Sequence, residues 1–376
     1  MAAEPTLLII QMEAVHRAGR EILRARKSMS GLRLLAAGWP GRTVVAAPEL
    51  DAPPPGPSGW AVDAEAVLEH LPSDDPLAAA RRVRPDAVLA LHHPRQYPLL
   101  DEFADRTVLS VENAWEQRLR IALLNSPPRH RARIIAGALR RRREFRRTIA
   151  RAAGIQCNGY GAFEAYRRLA PRAMIHFDHR VTADMVRASH PAQPSAAPAP
   201  LRLGFSGRHT RIKGPDHAIR LVRGLQDRGI DAELTVFGEG DMTPDLRRQA
   251  GPGVRFAGTL PFEESWIPAV RSGIDLMVLP SPQGDPAGTY LESIGAGVPV
   301  LGYANSALAP LVARHGIGWC VGVGDEGALL EQAAALAADR AAITARARDG
   351  LAFMAEHSVE REFARRVEHL RSVADV

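Results

Sequence analysis

The sequence contains little cysteine and no long hydrophobic run. Its 376 residues include only two cysteines, Cys157 and Cys320, which supports neither a disulfide framework nor a thiolate metal cluster. No apolar stretch approaches the about 18 residues that a membrane span requires. The first apolar run, residues 7–10, is too short for the core of a signal peptide. We therefore expect a cytoplasmic protein.

Lysine and aromatic residues are also scarce. The 48 Lys and Arg residues against 42 Asp and Glu give a net charge of +6, but Lys27 and Lys213 are the only lysines. This preference for arginine weakens the charge as an indication of a nucleic-acid partner. Aromatic residues make up 5% of the chain and do not interleave with basic ones as a single-strand stacking platform requires. We expect no nucleic-acid partner, and the rarity of lysine makes Lys213 informative.

The length predicts two domains, and short apolar runs alternating with helical segments predict α/β domains with parallel sheets. We predict an N-terminal domain at 1–189, a Pro- and Ala-rich linker at 190–200, a C-terminal domain at 201–357 and a last helix at 358–376. A first helix is predicted over residues 13–25. The predicted strands are residues 7–10, 43–46, 87–91, 108–111 and 174–177, then 201–205, 233–237, 254–257, 275–279, 298–301 and 318–321.

A cationic loop follows the predicted strand at 201–205, and Pro215 then opens a helix. Flexible backbone at Gly207 beside Arg208 and Lys213 suits a diphosphate, because arginine bonds phosphate bidentately and lysine acts as a point charge. The spacing matches neither a P-loop nor the dinucleotide glycine pattern. The alternative is a solvated basic turn.

A second polar loop follows the predicted strand at 275–279, and a helix begins near Gly288. The free amides of Gly288, Thr289 and Tyr290 would point at an anion, and the helix dipole would reinforce them. Glu292 could accept hydrogen bonds from sugar or ribose hydroxyls. Its alternative role is to cap the helix or pair with its dipole.

Four segments resemble, in their order along the chain, the C-terminal domain of retaining GT-B glycosyltransferases (glycosyl transferases group 1, family 4 type). They are the cationic loop after residues 201–205, Phe237-Gly238-Glu239-Gly240, residues 256–260 and the polar loop after residues 275–279. The resemblance covers about residues 201–357. It implies an α/β GT-B fold, with two Rossmann-like domains facing across a cleft and a last helix, 358–376, that crosses back to the N-terminal domain. The implied activity is transfer of a sugar, with retention, from a UDP- or GDP-type nucleotide sugar to an unidentified glycan, glycolipid or small molecule.

The resemblance also implies roles for individual residues. Arg208 and Lys213 would hold the donor diphosphate, and Glu292 would hold the ribose hydroxyls. The loop bordering the base would contain Gly258, Thr259 and Leu260, with Gly238 on the neighbouring loop. We expect no cofactor other than the nucleotide-sugar co-substrate, and no metal, since the chain has no Asp-x-Asp pair.

The sequence departs from the family where a Glu usually contacts the donor sugar, eight positions before Glu292. Gly284 stands there, and Asp285 beside it is the candidate replacement. This departure leaves a catalytically silent nucleotide-sugar-binding subunit as an alternative. A nucleotide-sugar epimerase or phosphorylase on the same fold is the other alternative.

In the N-terminal half, His92 and His93 follow one predicted strand, and Glu112 follows the next. We expect these residues to face the cleft as candidate catalytic groups. The alternatives are a solvated strand end for the histidines and a helix cap for Glu112. Segment 178–180 is assigned to interdomain structure.

The stretch from Arg129 to Arg151 is a basic amphipathic helix by its pattern. Such a helix offers a surface for anionic lipid or a charged acceptor, and so a peripheral contact with the inner membrane face. The alternative is a long solvated helix that packs by one face.

Overall fold

The computed structural model describes residues 4–19, 21–52, 60–62, 68–195, 199–284 and 288–376. The chain forms two compact units. The first comprises Met1–Trp115, Ile135–Phe177 and Glu360–Val376, and the second comprises Glu116–Ile134 and Asp178–Val359. Asp285 lies outside the described residues.

The first unit is built from short strands and the helices that connect them. Its strands are β1 (Thr6–Ile10), β2 (Val15–Ala18), β3 (Glu21–Ala25), β4 (Arg42–Ala47), β5 (Glu49–Leu50), β6 (Trp60–Val62), β7 (Glu69–Pro72), β8 (Ala87–Leu91), β9 (Thr107–Val111), β10 (Gly154–Asn158) and β11 (Ala173–His176). The helices over this part of the chain are α1 (Arg26–Gly38), α2 (Pro76–Val83), α3 (Leu99–Glu102), α4 (Trp115–Leu124), α5 (Arg131–Arg151) and α6 (Gly159–Tyr166), with 3₁₀ turns at Pro94–Gln96, Ala104–Arg106 and Pro128–His130. Of these, α4 from Glu116 onward, the turn at Pro128–His130 and the start of α5 up to Ile134 belong to the second unit.

A parallel sheet with the order β7-β4-β1-β8-β9-β10-β11 forms the centre of the first unit. The central strand β1 is an apolar run whose Leu7 and Leu8 are fully buried. Strands covered on both faces are continuously apolar, which is why they could be predicted from the sequence. Helix α5 joins this core through Phe145 and Ile149.

The predicted helix over residues 13–25 is wrong. This stretch is the antiparallel hairpin β2–β3, with Arg17 opposite Ile22. Gly19 has φ +64°, a conformation that a helix does not accommodate. Val15 and Ile22 are buried. The hairpin belongs to a small second sheet with the order β5-β2-β3-β6.

The second unit alternates strand and helix. Its strands are β12 (Leu201–Ser206), β13 (Ala232–Phe237), β14 (Val254–Gly258), β15 (Leu276–Leu279), β16 (Val300–Tyr303) and β17 (Gly318–Val321). Its helices are α7 (Ala183–Arg187), α8 (Pro215–Asp227), α9 (Thr243–Gln249), α10 (Ile267–Gly273), α11 (Gly288–Gly295), α12 (Leu308–His315), α13 (Glu326–Ala338) and α14 (Arg340–Glu356), with a π-helical turn at Phe262–Trp266. The strands form a parallel sheet with the order β14-β13-β12-β15-β16-β17.

The last helix, α15 (Val359–Ala374), belongs to the first unit from Glu360 onward. It packs on α1 at two glycines seven residues apart. A Cβ added to Gly31 would lie 2.8 Å from Phe363, and one added to Gly38 would lie 3.0 Å from Val367. The absence of side chains at these positions lets the two helices approach closely.

Candidate functional site

The candidate site lies at the carboxyl ends of β12 and β15. These strands are neighbours at the centre of the second unit's sheet, and the chain continues from them to opposite edges. The carboxyl ends of strands at such a switch point form a natural ligand crevice. A cavity at this point is lined by Phe205, Ser206, Lys213, Leu279, Ser281, Thr289 and Tyr290.

Glycines join the ends of β12, β13 and β14 backbone to backbone. Gly238 has φ +97°, and a Cβ added there would lie 2.2 Å from the carbonyl oxygen of Gly207. The Gly238 amide donates to the carbonyl of Gly258 over 2.7 Å, and the Gly207 amide donates to that of Phe237 over 3.3 Å. Thr259 follows as an exposed residue and Leu260 is half-buried. The loops named from the sequence are thus adjacent at one sheet edge.

The loop between β12 and α8 brings Lys213 to the cavity. Gly214 has φ +68°, and a Cβ added there would lie 2.4 Å from the carbonyl oxygen of Pro280, so the loop packs directly on the end of β15. Lys213 is half-buried, and its carbonyl accepts from Ser281 Oγ over 3.4 Å. Arg208 is exposed and is not among the described residues that line the cavity.

The first turn of α11 forms the opposite wall. Thr289 and Tyr290 line the cavity, and the helix begins at Gly288 as the sequence predicted. The first amides of a helix have no intrahelical acceptor and carry the positive end of its dipole. The Tyr290 side chain is buried and its hydroxyl accepts from Asn305 Nδ2 over 3.1 Å. Tyr290 therefore offers its amide rather than its ring.

Glu292 is held by an arginine that the sequence analysis did not assign to the site. The Glu292 side chain is 7% exposed, and Arg180 Nε donates to its Oε1 over 2.8 Å. The Arg180 guanidinium also lies 3.8 Å from the ring centre of Phe262. Phe262 stacks on Trp266 at 5.4 Å, and the Trp266 indole donates to Ser206 Oγ over 3.0 Å.

A wall of side chains therefore runs from the end of β12 to Glu292, all of it within the second unit. Segment 178–180 contributes Arg180 to this wall. The available sequence signal was the pair Phe262 and Trp266, four residues apart in a chain with only 5% aromatic residues.

Gly284 leaves no space for a side chain. A Cβ added there would lie 2.0 Å from Ser306 Oγ and 3.0 Å from Gln117 Oε1. Gln117 Nε2 also donates to the buried Gln283 Oε1 over 2.9 Å. Amide and hydroxyl groups thus occupy the space where a longer residue at position 284 would extend.

The candidate residues of the first unit follow the neighbouring strands β8 and β9. His92 is fully buried, its Nε2 lies 2.9 Å from Thr148 Oγ1, and its ring meets Phe145 edge-on at 4.0 Å. This environment favours a packing role for His92. His93 caps the 3₁₀ turn at Pro94–Gln96, because its Nδ1 accepts from the Arg95 amide over 3.3 Å.

Glu112 is half-buried and accepts hydrogen bonds from side chains of the first unit. Asn158 Nδ2 donates to its Oε2 over 2.7 Å, and Ser110 Oγ donates to its Oε1 over 3.4 Å. Of the candidate residues named from the sequence, the structure thus brings Lys213, Thr289, Tyr290 and the glycine loops to one edge of one sheet. His93 and Glu112 lie at the corresponding edge of the other sheet.

Sequence comparison identifies a family match within the second unit and relatives that match part of the chain. Residues 200–339 match the family described as Glycosyl transferases group 1. A 2-deoxystreptamine glucosyltransferase of Streptomyces kanamyceticus is 35% identical over 117 residues, 30% of each chain. A GDP-mannose-dependent alpha-(1-6)-phosphatidylinositol dimannoside mannosyltransferase of Mycobacterium tuberculosis is 28% identical over 127 residues, 34% of this chain and 33% of that one. The chain thus spans about a third of the length of these relatives.

Structural comparison extends the likeness to the whole chain. Anabaena HepE in complex with UDP-glucose superposes with a TM-score of 0.62 over 98% of this chain and 99% of its own, at 13% identity. The chain has the GT-B fold. At this identity the likeness concerns the architecture, with its two Rossmann-like domains, as the sequence predicted.

In the described ranges, no helix combines the length and the apolar character needed to cross a membrane. No group of three His, Cys, Asp or Glu side chains that could hold a metal ion occurs in those ranges either.

Proposed function

We propose that the protein transfers a sugar from a nucleotide-diphosphate sugar to an acceptor hydroxyl, with retention of the anomeric configuration. The observation that carries this proposal is the cavity at the switch point, where Lys213 and the first turn of α11 line the same space. A diphosphate placed there would meet a cation and helix amides together. Glu292 lies four residues beyond Gly288 on α11. Its carboxylate would accept hydrogen bonds from the ribose hydroxyls of the same nucleotide.

The chemical contribution of these groups would be electrostatic. Cleavage of the bond to the sugar leaves negative charge on the departing diphosphate. Lys213 and the amides of α11 are already oriented before that charge develops, and such preorganisation lowers the barrier. Arg208, on the same loop as Lys213, is proposed to reach the diphosphate once the nucleotide is bound.

The donor is proposed to be a UDP or GDP sugar. Support for UDP comes from HepE, which binds UDP-glucose, and support for GDP comes from the mycobacterial relative, which depends on GDP-mannose. The comparisons do not favour an epimerase, a phosphorylase or a silent subunit. On the acceptor side, His93 and Glu112 remain the proposed groups.

The test begins with binding and ends with turnover. Thermal shift with UDP, GDP, ADP and dTDP should reveal one preferred nucleotide, because a ligand at about 100 times its Kd stabilises by about 2.7 kcal/mol. Sugar donors of that nucleotide are then assayed for nucleotide release, and NMR of the glycoside formed reports retention. If none of the four nucleotides stabilises the protein, the proposal is overturned.

Asp285 is proposed, from the sequence alone, to hold the donor sugar. Gly284 cannot carry that contact, so Asp285→Asn should lower turnover about 10- to 1000-fold while binding of the bare nucleotide stays unchanged. Steady-state kinetics beside calorimetry would measure both. Equal turnover in the variant and the parent would remove Asp285 from the mechanism.

A further inference from the structure

The positive charge of this chain is concentrated in one stretch. Residues 115–151 contain 12 arginines and two glutamates, a net charge of +10. The remaining residues contain 36 Lys and Arg against 40 Asp and Glu, a net charge of −4. A general preference for arginine over lysine does not produce such a local excess. The charge therefore belongs to a particular feature of the molecule, and most of it lies on α5.

Helix α5 is anchored by one face only. Phe145, Thr148 and Ile149 are buried and hold the C-terminal half of the helix in the core of the first unit. Nearer its middle, the carbonyl of Ala138 accepts from the indole of Trp115 over 3.1 Å. These contacts satisfy the packing of the helix and leave its opposite face exposed.

The exposed face combines arginine with apolar side chains, and we call it the α5 arginine face. Its members are Ile135, Leu139, Arg140, Arg143, Arg146 and Arg147. Leu139 is 52% exposed and Ile135 is 39% exposed, one turn apart on the same side of the helix. Within the part of the chain that the structure describes, none of these four arginines has an acidic partner. The positive charge of this face is therefore not neutralised by acidic side chains of the same protein.

We propose that the α5 arginine face docks on a membrane surface that contains anionic lipids. The arginines would meet headgroup phosphates, since guanidinium groups bind phosphate bidentately. Leu139 and Ile135 would enter the boundary between headgroups and acyl chains, as the apolar residues of interfacial helices do. The helix is 21 residues long and would lie along the surface over roughly 30 Å.

The apolar pair decides between lipid and nucleic acid. The phosphates of a nucleic acid would bind the arginines but would not bury the exposed leucine and isoleucine. An anionic lipid surface would bind the arginines and bury both apolar side chains. Single-strand binding also relies on exposed aromatic rings. The exposed large hydrophobic residues of the described chain are aliphatic. This docking does not depend on the proposed sugar transfer.

The test is sedimentation of the purified full chain with vesicles. The probes are phosphatidylcholine vesicles, alone or with about one third phosphatidylglycerol. The parent should bind only the anionic vesicles, and about 0.5 M salt should weaken the binding by screening. The triple variant Arg140→Gln/Arg143→Gln/Arg147→Gln should bind about 100-fold more weakly. Leu139→Gln should bind about tenfold more weakly at unchanged charge.

A matched control loses the same charge elsewhere. Arg82, Arg168 and Arg348 are exposed residues outside α5, and changing all three to Gln should leave vesicle binding within about twofold of the parent. Melting temperatures check that every variant is folded. Three outcomes would overturn the proposal: no binding to anionic vesicles, equal loss in the control, or unchanged binding by Leu139→Gln. Tighter binding of the parent to DNA or RNA of any sequence than to the vesicles would replace lipid by nucleic acid.

Discussion

The two units share a sheet plan but differ in the loops at the carboxyl ends of their strands. In each sheet the first strand, β1 or β12, is central, and the next strands along the chain extend to both sides. In the second unit the loops close through glycines with positive φ and bring Lys213 to a cavity. In the first unit the loop after β8 buries His92. The sheet fixes where a ligand can bind, and the loops decide whether it does.

Among the substitutions that test this difference between the two units, Gly238→Ala should have the largest effect. Gly238→Ala places a Cβ 2.2 Å from the carbonyl oxygen of Gly207, at φ +97°. Backbone cannot move away as a flexible side chain can, so we expect a loss of roughly 3 kcal/mol or more in the free energy of unfolding. Nucleotide affinity should fall with it, because this junction forms one side of the site. Urea titration and calorimetry measure the two effects.

Gly19 provides the matched control in the first unit. It also has positive φ, +64°, but a Cβ added there meets nothing within 4 Å. Gly19→Ala should therefore cost only the backbone term, about 1 kcal/mol. Equal costs at the two glycines would mean that close packing of the loops does not distinguish the second unit.

A smaller effect is expected from Lys213→Ala. Loss of one charge-assisted bond to the diphosphate should weaken nucleotide binding by roughly 1.5–3 kcal/mol, with little change in melting temperature. Arg168→Ala, at an exposed position of the first unit, should leave nucleotide affinity unchanged. Calorimetry that finds normal affinity in Lys213→Ala would remove the cation from the site.

The difference between the units also explains what could be predicted from sequence. Buried parallel strands such as β1 and β12 are continuous apolar runs, and the helix starts at Pro215 and Gly288 have local signals. The hairpin β2–β3 was missed because its short strands also fit a helical period. Arg180 was missed for another reason. It is 112 residues from Glu292 in sequence, and no local pattern reports a partner that distant.

The smallest effect on nucleotide binding is expected from the ion pair between Arg180 and Glu292. The Arg180 side chain is 39% exposed and Glu292 only 7%, so removing the arginine leaves a buried carboxylate without this partner. Because Arg180 is partly solvated, we expect Arg180→Ala to cost about 1–2 kcal/mol in stability, less than a fully buried pair would. Nucleotide affinity should fall about fivefold, because the carboxylate loses its fixed orientation. Arg180→Lys should be intermediate, since lysine keeps the charge but not the flat contact with Phe262.

A double-mutant cycle separates positioning from simple packing. If Arg180 acts on the nucleotide through Glu292, then Arg180→Ala should weaken nucleotide binding in the parent but have little further effect in Glu292→Gln. The coupling free energy in nucleotide affinity should be about 1 kcal/mol. Additive losses of affinity would mean that the arginine does not work through the carboxylate. A loss of stability with normal affinity in Arg180→Ala would make the pair a structural brace of α11, and the second unit would then bind nucleotide through its loops alone.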